Sequence, residues 1–195
     1  MTNIILETIV NRRSTRKFTE ATPEKEALEL VVKAGRYAPS GGNSQSCHFV
    51  VITNREVLDS LKAAVKHEFS LMTSDENTYK SIANSIRLSK KGTYDFIYNA
   101  PVLIIVTNKK GYGNAMADSS CALMNMMLAA DSIGLGSCWI NQLHWLDDNS
   151  AVRELLLKLG IDDDETVCGS LALGYPSVDK AAPLERTGNQ VDYIE

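Results

Sequence analysis

Four short apolar runs punctuate the chain at residues 48–53, Val102–Val106, Ser137–Ile140 and Thr166–Leu173, each of strand length and bounded by polar or glycine-containing breaks. Helical spacing fills the intervals. Ile5, Leu6, Ile9 and Val10 form a first amphipathic turn. Ala27, Leu28, Val31 and Val32 give one apolar face to a helix that Thr22 caps and that opens with Pro23 and Glu24. Arg55–Phe69 reads as a helix, 75–91 as a polar, weakly amphipathic one, and Val152, Leu155, Leu156 and Leu159 as the buried stripe of another, closed by Gly160. The segment from Asn114 to Ile133 is apolar on nearly all sides, which marks a helix needing cover from several directions. After Gly174-Tyr175-Pro176 the tail is irregular and polar, yet it finishes Val191-Asp192-Tyr193-Ile194, too apolar for a free end. No repeat or linker divides the chain, so residues 1–195 read as one domain.

Composition narrows the class. The 195 residues are 44% hydrophobic and 23% charged, with a formal net charge of −4 and a pI near 5.5, which argues against nucleic acid as a partner. The longest apolar stretch, Leu123–Ile133, is broken by Asn125, Asp131 and Ser132 and is too short for a bilayer, so no membrane segment is expected. Cys47, Cys121, Cys138 and Cys168 form no Cys-x-x-Cys pair and no secretory pattern precedes them, so the chain reads as cytoplasmic with reduced thiols. His48, His67 and His144 lack metal-ligand spacing, and Cys47 and His48 point to opposite faces of one strand, so neither a metal site nor a cysteine–histidine nucleophile is expected. Gly134-Leu135-Gly136 follows a helix where a dinucleotide-binding fingerprint would follow a strand, and is set aside.

Two segments carry candidate chemistry. Arg36-Tyr37-Ala38-Pro39-Ser40-Gly41-Gly42-Asn43-Ser44-Gln45 joins a helix to a buried strand, and such a loop either presents backbone N–H groups and amides to a flat polar ligand or is a plain connector. Asn11-Arg12-Arg13-Ser14-Thr15-Arg16-Lys17-Phe18 interleaves arginines and hydroxyls in the manner suited to a phosphate monoester, because guanidinium binds phosphate oxygens in pairs. The same cluster is also compatible with cations at a helix C-terminus or with an exposed basic turn.

Taken together, Arg12, Ser14, Arg16 and Phe18, then Pro39, Ser40, Asn43 and Gln45, resemble the signature of the nitroreductase family of FMN-dependent oxidoreductases. The run from Ala117-Asp118 to Ile140, and Gly174-Tyr175-Pro176 followed by Arg186, extend the resemblance over nearly the whole chain apart from about residues 67–98. The resemblance implies an α+β, three-layer fold whose mixed, mainly antiparallel sheet is flanked by helices, in a homodimer with a domain-swapped C-terminal tail. It implies that Arg12, Ser14 and Arg186 hold the FMN phosphate with Arg13 beside them, and that Arg16 sits at the pyrimidine edge of the flavin, stabilising its anionic reduced form. It further implies that Pro39, Ser40 and Gly41 reach the ring from the neighbouring subunit, Asn43 from its own, and that Ile140 and Asn141 present a backbone N–H to flavin N5. No side-chain general acid is implied. NADPH or NADH would reduce the flavin, and a small acceptor such as a nitroaromatic, quinone or enone would take its turn over the same face; a flavin-binding protein with little turnover is the alternative. The chain departs from the family pattern at Asn141-Gln142, where Glu-Gly is typical, and in residues 67–98, which are expected to shape the substrate pocket.

Overall fold

The computed structural model describes residues 3–195. Four strands, β1 (His48–Ile52), β2 (Val102–Lys109), β3 (Gly136–Ile140) and β4 (Glu165–Gly174), form one sheet in the order β1-β2-β4-β3, with every neighbour antiparallel. Alternation along β2 explains the layers. Val102, Ile104 and Val106 face one core with Leu28, Val31, Leu123 and Met126, while Leu103 and Ile105 face another with Leu58, Leu61, Phe69, Leu143 and Leu156. The first core is roofed by α2 (Lys25–Arg36) and α5 (Ala115–Ser132). The second lies under α3 (Arg55–Leu71), α4 (Lys80–Lys90), the single turn α6 (Gln142–Trp145) and α7 (Ser150–Lys158). Both faces of β2 are therefore sealed, and each fully buried Val, Leu or Ile there contributes roughly 1.5–3 kcal/mol.

Several boundaries differ from the sequence reading, each for a local reason. The helix expected to start at Thr22 begins at Lys25; Pro23 precedes it and is buried, and no side chain caps it. Residues 75–78 form a turn instead of helix, because Asp75 accepts from the Asn77 N–H at 3.0 Å and the Thr78 hydroxyl at 2.7 Å and so competes with the helical ladder. The helix 114–133 is not covered on all sides within one chain: Met116, Cys121, Met124 and Ile133 are exposed. The first amphipathic turn is a full helix, α1 (Ile4–Asn11), which Asn3 caps through the N–H groups of Ile5 and Leu6, and none of its residues is buried.

The segment after α1 docks on the outer edge of β3. Ser14 makes a parallel bridge to Ser137, and the Thr15 N–H donates to the Ser137 carbonyl at 2.9 Å. Thr19 N–H to Tyr175 O (2.9 Å) and Ser177 N–H to Lys17 O (3.1 Å) fasten the same segment to the end of β4. Glycine makes this approach possible. A Cβ at Gly136 would lie 2.5 Å from Thr15 Oγ1, and one at Gly174 would lie 2.7 Å from Pro101 Cδ. Gly136→Ala is therefore expected to destabilise the fold by about 1–3 kcal/mol through overpacking; urea denaturation with an unchanged midpoint would contradict the close approach.

Candidate functional site

Docking on β3 fixes where the arginines go. Arg13 turns back on its own helix end, donating through Nη1 to the Val10 and Arg12 carbonyls and through Nε to Ala182 O at 3.4 Å. Its charge serves the turn. Arg12 differs: its Nη1 is buried and has no hydrogen-bond partner, a state that costs about 1–3 kcal/mol or more for a charged donor unless an acceptor arrives. Arg16 makes no ion pair among the described residues and lies 5.9 Å from the ring centroid of Tyr98; burial opposes its charge, and Cys138 and Tyr98 favour it. Cys138 of β3 sits between these charges. Burial raises its thiol above the ordinary range against the opposing pull of Arg16 and Arg12, so it stays protonated at neutral pH and leaves both cations uncompensated.

Arg16 opens onto a cavity of about 510 Å³ at the C-terminal end of β3. Cys138, Trp139, Ile140, Asn141 and Gln142 form one wall, and the turn Thr93–Asn99 forms the opposite one through Tyr94, Asp95, Tyr98 and Asn99. Tyr79 and Trp145 close an aromatic corner, edge to face at 6.0 Å between centroids. On the other side Arg16 borders a smaller cavity of about 300 Å³ lined by Arg13, Ser14 and Thr15. Arg12, Arg13, Ser14, Arg16, Ile140 and Asn141 thus come together along β3, as does much of the unaligned segment 67–98.

The polar groups of the wall are fixed in orientation. Trp139 Nε1 donates to Asn141 Oδ1 at 2.6 Å, and the Asn141 carbonyl accepts the Trp145 N–H at 2.9 Å, which sets the start of α6. Ser85 donates its hydroxyl to Ser81 O at 2.9 Å, so at 2.6 Å it accepts from Tyr94, and the Tyr94 oxygen accepts from Gln142 Nε2 at 2.7 Å. Gln142 Oε1 is left buried without a donor. Burial raises the Tyr94 phenol above its ordinary range, with the Ser85 and Gln142 hydrogen bonds pulling the other way, so it remains neutral. Tyr98 and Asn99 both have left-handed backbone, φ 57° and 55°, which costs of order 1–3 kcal/mol each and persists only where the surroundings impose it.

The loop after α2 lies elsewhere. Gly42, Asn43 and Gln45 have positive φ, and the Gly41 N–H donates to both carboxylate oxygens of Asp118, 3.1 and 3.2 Å away. Asp118, only 7% exposed in the first turn of α5, also accepts from Tyr112 at 3.0 Å and Ser44 at 3.4 Å. A Cβ at Gly41 would run into Asn114 and, at 2.7 Å, the Tyr112 hydroxyl. Pro39 and Ser40 line a cleft of about 130 Å³ with Phe49 and Asp118, and Asn43 and Gln45 line an open cavity of about 1040 Å³ with Lys25, Arg36 and Tyr37. Neither cavity is the one that Arg16 borders. Within one chain the structure does not bring Pro39, Ser40, Gly41 or Asn43 to Arg16, and Arg186 lies in the exposed tail. Asn43, expected to serve the same subunit's ring, is absent from that cavity's lining, as are the three residues assigned to the neighbour.

Tyr94 and Tyr98 fall in the segment 67–98 expected to shape the substrate pocket and Gln142 in the departure from the family pattern, whereas Trp139 and Trp145 are lining residues that the sequence reading does not reach. The density of aromatic and amide residues in 94–99 and 139–145 was a usable signal; the left-handed backbone at Tyr98 left none.

Comparison with known proteins bears on the family and the fold. The model of the "Nitroreductase family" matches residues 9–175. A nitroreductase from Bacteroides fragilis solved with bound FMN is 36% identical, covers all of both chains and superposes with a TM-score of 0.87. A nitroreductase with bound FMN from Desulfitobacterium hafniense is 25% identical, again over all of both chains, with a TM-score of 0.85. An Archaeoglobus fulgidus protein provisionally named NADH dehydrogenase/NAD(P)H nitroreductase is 30% identical over 90% of this chain and 87% of its own length. An antiparallel sheet between two helical layers, an arginine segment docked on β3 and a family match spanning most of the sequence lead to one conclusion: the chain belongs to the nitroreductase family.

Proposed function

We propose that the protein is an FMN-dependent oxidoreductase that takes hydride from NADH or NADPH and passes it to a small flat acceptor, a nitroaromatic, quinone or enone, by a ping-pong mechanism. The observation that carries this reading is the buried, unpartnered Nη1 of Arg12 beside Ser14 and an unpaired Arg16, a donor set suited to an anionic ligand. FMN-bound relatives of 36% and 25% identity support the choice of ligand. Bound FMN would supply an N5 atom able to accept and donate hydride.

Each residue then has a role set by its chemistry. Arg12 and Ser14 hold the phosphate, and Arg13 keeps the turn that presents them. Arg16 places a fixed cation where the ring gains negative charge on reduction, which favours the reduced form. Ile140 and Asn141 offer backbone N–H groups at the strand end, and the Trp139–Asn141 hydrogen bond holds that end in place. The edge-to-face pair of Tyr79 and Trp145 offers an aromatic surface that suits a flat acceptor. Because no separate dinucleotide-binding domain is recognisable, reductant and acceptor share this cavity in turn. Pro39, Ser40, Gly41, Asn43 and Arg186 join from a second copy of the chain.

The uncovered apolar surface supports that second copy. On α1, Ile4 and Ile5 are 78% and 66% exposed, Met116 and Met124 lie open on α5, and Tyr193 and Ile194 of the tail are 88% and 96% exposed. So many exposed large apolar side chains are uncommon on a monomer. Lys180 fastens the start of the tail to Asp131 at 2.6 Å and Ala182 O accepts from Arg13, and the residues after them are exposed.

Three outcomes are expected. Anaerobic mixing of the flavin-loaded protein with NADH or NADPH should bleach the flavin band quickly; an unchanged spectrum over minutes would favour a flavin-binding protein without turnover. Charged hydrogen bonds are worth about 1.5–3 kcal/mol, so Arg12→Ala should weaken FMN binding tenfold or more and leave riboflavin affinity nearly unchanged. Equal losses for both ligands would remove Arg12 from the phosphate. The full chain should sediment as a homodimer, and deleting residues 177–195 should release FMN and dissociate the dimer. A flavin-loaded monomer of the full chain would rule out the shared site.

A further inference from the structure

Arg16 is the one cation and Asp95 the one carboxylate on the described lining of the 510 Å³ cavity, yet they form no ion pair. The turn between Asp95 and Asn99 explains why. One oxygen of Asp95 accepts the Ile97 N–H at 3.0 Å and the other accepts the Asn99 N–H at 2.9 Å. Lys62, from α3, places its ammonium 3.6 Å from Asp95 and 3.2 Å from Asn99 Oδ1. Lys62 also pairs with Asp59 at 2.9 Å, so Asp95 is held by its own turn and shares the Lys62 charge. Phe96 and Ile97 are buried in the core beneath, so the turn is anchored from below as well as tied across.

Those ties hold two consecutive non-glycine residues in left-handed backbone, and Tyr98 is the costlier of the two because Asn tolerates that region far better. Strain of this kind gathers where a side chain must be aimed. Here the aim of the turn is visible: the Tyr98 ring stands 5.9 Å from the Arg16 guanidinium, a neutral aromatic partner in place of a carboxylate.

We propose that the Asp95–Asn99 turn reserves the charge of Arg16. Lys62 and two backbone N–H groups keep Asp95 from pairing with Arg16, Tyr98 fixes the guanidinium without neutralising it, and the cation stays available to negative charge on the ring bound in the cavity. Tyr98 and Lys62 are positioning residues that act through Arg16. The inference rests on the flavin reading above, since the charge in question is that gained by the ring on reduction.

The test is the midpoint potential of the FMN-loaded full chain. Tyr98→Leu removes the ring without changing charge and is expected to lower the affinity ratio for reduced over oxidised flavin about tenfold, or about 30 mV for a two-electron couple. Tyr98→Phe should keep the wild-type potential. Lys62→Met should lower the potential by freeing Asp95, and Lys62→Met with Asp95→Asn should restore it. Wild-type potentials in both Tyr98→Leu and Lys62→Met, with flavin bound, would overturn the proposal, as would a drop in Tyr98→Phe equal to that in Tyr98→Leu. Should Tyr98→Leu fail to fold, the Lys62→Met pair decides alone. Failure of the flavin reading looks different: wild-type protein would then take up no FMN at all.

Discussion

The bridge between Ser14 and Ser137 is the constraint on which the site depends. Without it the arginine segment would be an exposed basic turn, one of the readings that the sequence left open. With it, Arg12, Ser14 and Arg16 are laid along an edge strand whose far end carries Ile140 and Asn141. Two glycines that face each other in the sheet, Gly136 and Gly174, let the segment come close, since side chains there would strike Thr15 and Pro101. Sheet register and site geometry are in this way one problem: β4 pairs with β3 over five residues, and its other edge pairs with the sealed β2.

The same arrangement leaves the two candidate segments on different cavities of the chain. The loop 39–45 is fastened to α5 through Asp118, and the arginine segment to β3, and no side chain of one lines the cavity of the other. Two features ordinarily unfavourable in a monomer, an apolar α1 with no buried residue and a tail ending in exposed Tyr193 and Ile194, occur in this chain. A second copy would relieve both at once while bringing complementary half-sites together, so the energetic and the chemical arguments for a shared site are the same argument.

Legibility followed from periodicity and failed where side chains act locally. The four strands, the long apolar α5 and the stripe of α7 were all readable, because burial on two faces or one imposes a period that the sequence must carry. The start of α2 was not, since Pro23 serves the core instead of the helix, and the 75–78 turn was hidden by Asp75, whose side chain outbids the helical ladder over three residues. In the site, Arg12, Ser14 and Arg16 were visible as a charge pattern, but that Arg13 beside them turns its guanidinium back on its own helix end was not. Tyr98 is the clearest case: nothing in its type announces positive φ, and only the three-dimensional ties from Asp95 and Lys62 make that backbone possible.

The departure at Asn141-Gln142 acquires a physical meaning in this setting. A glutamate where Asn141 stands would put a second carboxylate at the mouth of the cavity, and it would compete with the ligand for Arg16. Asn141 is neutral and has its oxygen taken by Trp139, while Gln142 continues a neutral hydrogen-bond chain through Tyr94 to Ser85. Cys138 and Tyr94 are held protonated by burial, and Asp95 is consumed by its own turn. Arg16 is thereby left without a carboxylate partner among the described residues that line the cavity. It is also the one cation on the described lining of this cavity, beside Tyr94, Tyr98 and Trp139. Any ligand that carries or gains negative charge there meets Arg16 without a competing carboxylate from the described lining.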